Sequence, residues 1–396
     1  MPSAAMGSGT TPGPARRLRV ALDATPMLGH PTGVGVFCQG ALQALSERDD
    51  LDVSAYAVSW LRRDVVAAHV PAKVRVQQRP MPARPLHAAW KRGSTPKVEW
   101  FFGKVDVVHG TNFVVPPTKH AGTVVTVHDL TPLHFPELCT PATLAYPDLI
   151  RRALRRGAWV HTVSDFVASE VVDAFEVDPS RVVTVAHGVP ELPSVSLGEA
   201  GRLVERYLPD GAARYILAVG TAEPRKDLPG LVRAFDQLAS RSGHDDLVLL
   251  LAGQPGWGDD ALTAAIDHAQ AAKRIIRTGW VDDVTLSALL SQAAVLAYPS
   301  LYEGFGFPPL QAMVAGAPVV ATRAGAIPEV VGDAAVLTAV GDTDGLAGAL
   351  DQVLTDAELR ARLIAAGTAR AATFSWDRCG EGLAHLYRRI AGDRRD

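Results

Sequence analysis

"YILAVGTAEPRKDLPGLVRAFDQLA", residues 215–239, decides the fold. It opens with "YILAVG" (215–220), an apolar run of strand length that ends on a glycine. A short apolar run bounded by turn residues reads as a buried strand. "TAEPRKDLPG" is turn chemistry, and a helix follows over 229–239. Towards the C-terminus the unit repeats. Strands are expected at 247–253, 274–279, 293–300, 317–322 and 334–338. Helices near 259–272, 283–292, 308–315, 344–354 and 357–372 lie between or after them. Alternating strands and helices build a parallel sheet with crossover helices.

The N-terminal half keeps the same rhythm. "LRVALD" (18–23) leads into the glycine-bearing turn "GHPTGVGV" and a helix over 34–45. Further strands are expected at 53–58, 74–78, 105–109, 123–128, 159–163 and 181–186, with helices over 141–156 and 164–175. Between the halves, "GVPELPSVSLGEAG" is rich in Pro, Gly and Ser and reads as a linker. The expected division is a disordered tail over 1–17, an N-terminal Rossmann-like domain over 18–190, a linker over 191–213, a second Rossmann-like domain over 214–375, and a final segment over 376–396. Two doubly wound α/β domains form a cleft, and open parallel sheets bind ligands at the carboxyl ends of their strands.

Length and composition agree with this division. The chain has 396 residues, enough for two domains. Its net charge of −3 argues against a general nucleic-acid binder. Residues 1–190 hold 20 Lys/Arg against 16 Asp/Glu, and residues 191–396 hold 19 against 26. The basic first half can face an acidic acceptor or a membrane, or can be ordinary scatter of solvated charge. Cys38, Cys139 and Cys379 are too scattered for a disulfide framework or a metal cluster, so a reducing cytosol is the expected compartment. The tail lacks the apolar core of a signal peptide, and no stretch is long and apolar enough to span a bilayer.

Five sites carry candidate chemistry. "YEGFGFPPLQAM" (302–313) follows a strand, and Pro308 and Pro309 suit a helix's first turn. Glu303 and Gln311 then converge on a helix mouth, a natural phosphate seat, where Gly304 and Gly306 admit close backbone approach. Glu303 can accept hydrogen bonds from sugar hydroxyls and Gln311 can hold a ribose; the plain alternative is a solvated acid and a capping amide. Arg225 and Lys226, at a strand-to-helix turn, can neutralise a diphosphate or be surface charge. His128 ends a strand in "TVVTVHDLTPL"; it can donate to a substrate hydroxyl with Asp129 fixing its tautomer, or be a satisfied structural residue. Gly33 and Gly35 can bring amides to a phosphate, although "PTGVGVF" lacks the full dinucleotide fingerprint. Asp342 and Asp344 in "GDTDG" have a spacing that can hold a divalent ion, but a helix cap is the better reading and no metal is expected. The aromatic and basic stretches 87–104 and 148–159 can face a membrane or an acceptor; a core face with a solvated basic edge is the first reading.

Taken together, "YEGFGFPPLQAM", "GTAEPRKDL", "GWVDDVTL", "VVATRAGAIPEVVGDAA" and "VHDLTPLHFPE" resemble the retaining nucleotide-sugar glycosyltransferases of the two-Rossmann GT-B type, family 4. The likeness runs from about residue 18 to 390 and is greatest to mannosyltransferases of the O-antigen polymannose type. It implies that Glu303 contacts the donor sugar and position 311 the ribose. The family's second Glu is Gln311 here, a departure that removes a charge. It implies Lys226 and Arg225 at the diphosphate, with Thr221 where the family often has Arg. It implies His128 near the donor sugar, Gly33 and Gly35 under the phosphates, Val281 at the base, and Gly304, Phe305, Gly306 and Phe307 around the donor. A last helix should cross back onto the first domain. The implied reaction is metal-independent, retaining transfer of a hexose, from GDP-mannose or a UDP-sugar, to a glycan or glycolipid. The departing phosphate helps to take the acceptor proton. The implied setting is cytoplasmic, with peripheral contact at the inner membrane face. The competing readings are a non-catalytic nucleotide-sugar binder, an epimerase of the same fold and a dinucleotide dehydrogenase.

Overall fold

The computed structural model describes residues 16–29, 32–60, 63–77 and 79–393. Most of the expected tail, together with His30, Pro31 and Gln78, lies outside the described residues. Two α/β lobes enclose a cleft. The first sheet contains β1 (Leu18–Asp23), β2 (Leu51–Tyr56), β3 (Arg75–Val76), β4 (Val107–Gly110), β5 (Gly122–Val127), β6 (Trp159–Thr162) and β7 (Val182–Thr184). Its order is β3-β2-β1-β4-β5-β6-β7, and every pairing is parallel. The second contains β8 (Arg214–Val219), β9 (Leu247–Ala252), β10 (Ile275–Gly279), β11 (Val295–Tyr298), β12 (Val319–Thr322) and β13 (Val336–Thr338). Its order is β10-β9-β8-β11-β12-β13, again parallel throughout.

The strand sequences explain this arrangement. β9, "LVLLLA", is buried at every position because helices cover both faces, as a parallel sheet requires. Strand order reverses between β1 and β4 in the first sheet and between β8 and β11 in the second. Ligands bind beside such switch points, outside the strands' carboxyl ends. The loops after β8 and β11 are therefore the ones that matter in the second lobe.

The helix Trp376–Gly392 returns to the first lobe. Cys379, Leu383, Leu386, Tyr387 and Ile390 are buried there, and the helix packs on the helix Gly33–Ser46 and on β4 and β5. Burying each large aliphatic side chain contributes roughly 1.5–3 kcal/mol. Small residues make the seat: a Cβ on Gly40 would lie 2.4 Å from the Trp376 ring, and one on Gly122 would lie 2.2 Å from Ile390.

The interlobe segment differs from the expected bare linker. Residues 191–213 contain the helix Leu197–Glu205, with Ser196 capping the Glu199 N–H at 3.3 Å. Ala200 and Val204 are buried in the second lobe's core, and Ser287 Oγ donates to the Pro193 carbonyl at 2.7 Å. Gly198 and Gly201 masked a helix whose packing outweighs their poor propensity. The helix expected over 141–156 begins at Tyr146, where Pro147 suits the first turn.

Candidate functional site

β11 delivers the chain to the cleft, and the helix Phe307–Ala315 leaves it with Pro308 and Pro309 in the first turn. The two prolines carry no N–H, and the Leu310 N–H donates back to Gly306 at 3.4 Å. Phe307 is thus the one amide of that turn without a partner among the described residues. The mouth keeps its dipole but offers fewer donors than an ordinary helix start. Side-chain cations must therefore carry most of any anion recognition.

Those cations surround Glu303, which is 6% exposed. Its Oε1 accepts from Lys226 Nζ at 2.7 Å, Tyr298 OH at 2.8 Å and Ser300 Oγ at 2.7 Å. Its Oε2 pairs with Arg225 Nη1 at 2.5 Å. Burial alone would raise the Glu303 carboxyl, but Arg225 and Lys226 outweigh it and hold it down at about 2. A carboxylate has about four acceptor sites. Oε1 is saturated, and Oε2 keeps room for one more donor, such as a sugar hydroxyl. Arg225 also donates to the Tyr302 carbonyl at 2.9 Å and to Glu223 at 3.2 Å. Lys226 uses two of its three N–H groups, on Glu303 and Tyr298. Both cations line the cleft.

His128 enters from the first lobe, beyond the end of β5. Nε2 donates to the Thr111 carbonyl at 2.8 Å. A carbonyl only accepts, so Nε2 carries the proton. Burial pushes the imidazole pKa down, and the neutral ring offers an Nδ1 lone pair. This corrects two expectations. His128 accepts rather than donates, and Thr111 fixes the tautomer. Asp129 is occupied elsewhere, its Oδ1 accepting from the Thr131 N–H at 2.9 Å.

The two glycines after β1 separate. Gly33 begins the helix Gly33–Ser46 and faces the second lobe; a Cβ there would lie 3.4 Å from the Phe307 ring. Gly35 is buried one turn in, its N–H donating to the Thr32 cap at 3.3 Å, and a Cβ would meet the Pro26 carbonyl at 3.1 Å. Its amide is therefore consumed, and its glycine character serves packing rather than a phosphate.

A cavity of about 460 Å³ between the lobes gathers the remaining candidates. His128, Glu303, Gly33, Arg225, Lys226, Val281, Gly304 to Phe307 and Gln311 all line it; Gly35 does not. Gly304 lies against the first lobe so closely that a Cβ would be 1.8 Å from the His128 carbonyl oxygen. Asp342 caps the helix Thr343–Thr355 through the Gly345 N–H at 2.8 Å, and Asp344 accepts from Gln237 at 2.9 Å. Neither aspartate lines the cavity. Trp90 is buried, with its indole N–H on the Pro96 carbonyl at 2.9 Å, whereas Trp100 is exposed. Arg156 donates to the Trp90 and Gly93 carbonyls at 3.0 and 2.7 Å.

Several cavity residues escaped sequence reasoning: Glu223, Tyr298, His187 and Asp283. Glu223 and Tyr298 stood beside the chosen motifs, in "TAEPRK" and "VLAYPS", and strand-end position was the available signal. His187 stacks on Phe307 with ring centroids 5.4 Å apart, a contact between residues 120 positions apart that no local pattern reveals.

Comparison with known proteins agrees with this geometry. Residues 31–191 match Glycosyltransferase Family 4, and residues 202–370 match Glycosyl transferases group 1. O-antigen chain mannosyltransferase B of Escherichia coli is 33% identical over 288 residues, 71% of this chain and 74% of that protein. The serotype-specific mannosyltransferase WbdA of Escherichia coli is 30% identical over 67% of this chain, which spans only 32% of that longer protein. Among solved structures, sucrose-phosphate synthase from Thermosynechococcus elongatus superposes with a TM-score of 0.74 at 18% identity, over 95% of this chain and 100% of that one. Anabaena HepE, solved with UDP and glucose, gives 0.69 at 18% identity, over 93% and 99%. No described helix is long and apolar enough to cross a membrane. Two parallel-sheet lobes, a shared cleft and matches in both halves lead to one conclusion: the chain belongs to glycosyltransferase family 4, and it is a glycosyltransferase of the GT-B fold.

Proposed function

We propose that this glycosyltransferase moves mannose from GDP-mannose to a hydroxyl of a polysaccharide or glycolipid, with retention and without a metal ion. The observation that carries the proposal is the buried Arg225–Lys226 pair, held 2.5 and 2.7 Å from Glu303 in the cleft. Breaking a glycosidic bond to a nucleoside diphosphate releases an anion. Cations fixed in advance stabilise that charge without reorganising at the moment of reaction. Each keeps N–H donors for phosphate oxygens while Glu303 stays in place. Glu303 Oε2 and His128 Nδ1 are acceptors for hydroxyls of the donor sugar. Glu303 is engaged by four side-chain donors rather than held free as a nucleophile, which supports a departing phosphate that takes the acceptor proton on the same face.

The relatives named as mannosyltransferases support the choice of sugar. Asp283 supports the choice of base. It lines the cleft beside Trp280 and Val281, at the start of the helix Asp283–Gln292. Guanine presents adjacent N–H donors to a carboxylate, and a site built for them rejects a base that lacks them. Arg151 and Arg155, exposed on the helix Tyr146–Arg155, are consistent with peripheral contact at the cytoplasmic membrane face.

The test is a panel of GDP-mannose, UDP-glucose and UDP-GlcNAc, with and without EDTA. GDP-mannose should raise Tm most, since a ligand of the native state stabilises it. It should also release GDP at an EDTA-insensitive rate, and the product anomer should be retained by NMR. Preference for a UDP-sugar would replace the donor assignment, and loss of turnover in EDTA would overturn the metal-free mechanism. Binding without turnover in the presence of acceptor extract would overturn the transfer itself.

A further inference from the structure

Tyr302 stands immediately before Glu303 but reaches into the other lobe. It is 4% exposed. The Leu130 N–H donates to its hydroxyl oxygen at 3.1 Å, and the hydroxyl donates to Glu170 Oε2. Glu170 Oε1 holds His134 Nε2 at 2.9 Å. The rings of His134, Phe135 and Phe166 surround the tyrosine at centroid distances of 5.7, 5.6 and 6.0 Å. All these partners belong to the first lobe, from the loop after β5 and from the helix Asp165–Phe175. The backbone of Tyr302 faces the other way. Its carbonyl accepts from Arg225 Nη1 at 2.9 Å, and the preceding Leu301 N–H donates to the Arg225 carbonyl at 2.8 Å.

One residue therefore touches both halves of the reaction machinery. Its phenol keeps these protein partners only when the lobes are together; a separated Tyr302 would exchange them for water. Its carbonyl helps to aim the guanidinium that grips Glu303. Hydroxyl-to-carboxylate hydrogen bonds belong to the strong, charge-assisted class. Two neighbouring contacts draw the same surfaces together: Ser164 Oγ donates to the Gly304 carbonyl at 2.9 Å, and the Asp165 and Phe166 N–H groups donate to Glu329 at 2.9 Å each.

We propose that Tyr302 is a positioning residue: its bond to Glu170 and Leu130 couples closure of the lobes to the placement of Arg225 and Glu303. The inference rests on the reading of Arg225 as the group that holds the donor's anion. Tyr302→Phe keeps the ring contacts and removes only the hydroxyl, while Glu170→Gln keeps side-chain size and removes the charge. With GDP-mannose, Tyr302→Phe should lower kcat by roughly ten- to a hundredfold, the scale expected when reacting groups are misplaced. The Kd for GDP should rise far less than kcat falls, because Lys226 and the contacts of Arg225 with the Tyr302 and Leu301 backbone remain. Glu170→Gln should act in the same direction, and the double variant should lose no more than the worse single variant, the signature of one shared interaction. Losses that multiply, or a Tyr302→Phe kcat within twofold of wild type, would overturn the proposal.

A second readout separates this proposal from the donor assignment. Spin labels at Asp49→Cys and Glu358→Cys, exposed on opposite lobes, report the interlobe distance in a Cys139→Ser background. Tyr302→Phe should broaden that distribution towards longer distances with GDP bound. An unchanged distribution overturns the coupling whatever the enzyme's sugar donor. Failure of wild type to use GDP-mannose, with the distribution still broadened, refutes only the donor.

Discussion

Glu303→Gln tests whether the buried carboxylate organises the cation pair. The substitution keeps shape and removes one charge. In the folded protein the Glu303 carboxyl is held at about 2, against an ordinary value of 4.5. Each pKa unit corresponds to roughly 1.4 kcal/mol, so the charged form contributes about 3 kcal/mol of stability near neutral pH. Removing one partner of a buried ion pair typically costs ~3–5 kcal/mol, an independent route to the same magnitude. The sign follows from the depressed value. The contribution is complete above about pH 4.5 and disappears as pH falls through about 2. Urea denaturation of both proteins, followed by circular dichroism from pH 7 to pH 3, measures the difference. The gap should be about 3 kcal/mol at pH 6 and narrow to about 1.4 kcal/mol at pH 3. A gap independent of pH, or one below about 1 kcal/mol at pH 6, would refute the claim that an ionised Glu303 is held by Arg225 and Lys226. Glu303→Ala is a poor probe of catalysis, because it strands two buried cations as well as removing an acceptor.

Three further outcomes follow from the geometry. Gly304→Ala should leave GDP binding intact and lower kcat at least about tenfold, since its methyl would meet the His128 carbonyl at 1.8 Å and hold the lobes apart; single-turnover kinetics with a parallel Kd measurement check it. Asp283→Asn should weaken GDP binding by roughly ten- to a hundredfold while leaving UDP binding unchanged, read by calorimetry, because an amide cannot accept both guanine N–H groups as a carboxylate does. Gln311→Glu should be tolerated, with kcat and the donor KM each within about threefold, because both side chains offer an acceptor to a ribose hydroxyl; a dead variant in steady-state assays would show that the amide itself is required.

Much of the architecture was legible because it rests on local signals. Runs such as "LVLLLA", bounded by turn residues, read as buried strands in a sheet covered on both faces, and Pro308–Pro309 suit the first turn of a helix. The cleft candidates were legible for a related reason: strand-end residues in parallel sheets share one edge, so His128, Arg225, Lys226 and Glu303 were brought to one cavity by topology. The misreadings fall where partners are distant. The helix Leu197–Glu205 hid behind two glycines and depends on packing against the second lobe. Gly35 is the exception: its partner is local, the Thr32 cap three positions earlier, which takes the amide that could otherwise face a phosphate.

The amino-acid order alone determined the alternation of strands and helices, the division into two lobes and the edge on which the chemistry sits, because apolar periodicity and turn residues act over a few positions. Only the tertiary structure decided the states of the working groups. The tautomer of His128 follows from the Thr111 carbonyl on the neighbouring strand's loop, and the ionisation of Glu303 follows from cations 77 and 78 positions away. Protonation depends on desolvation and on charges within a few ångströms, and those neighbours exist only once the sheets have formed and the lobes have met.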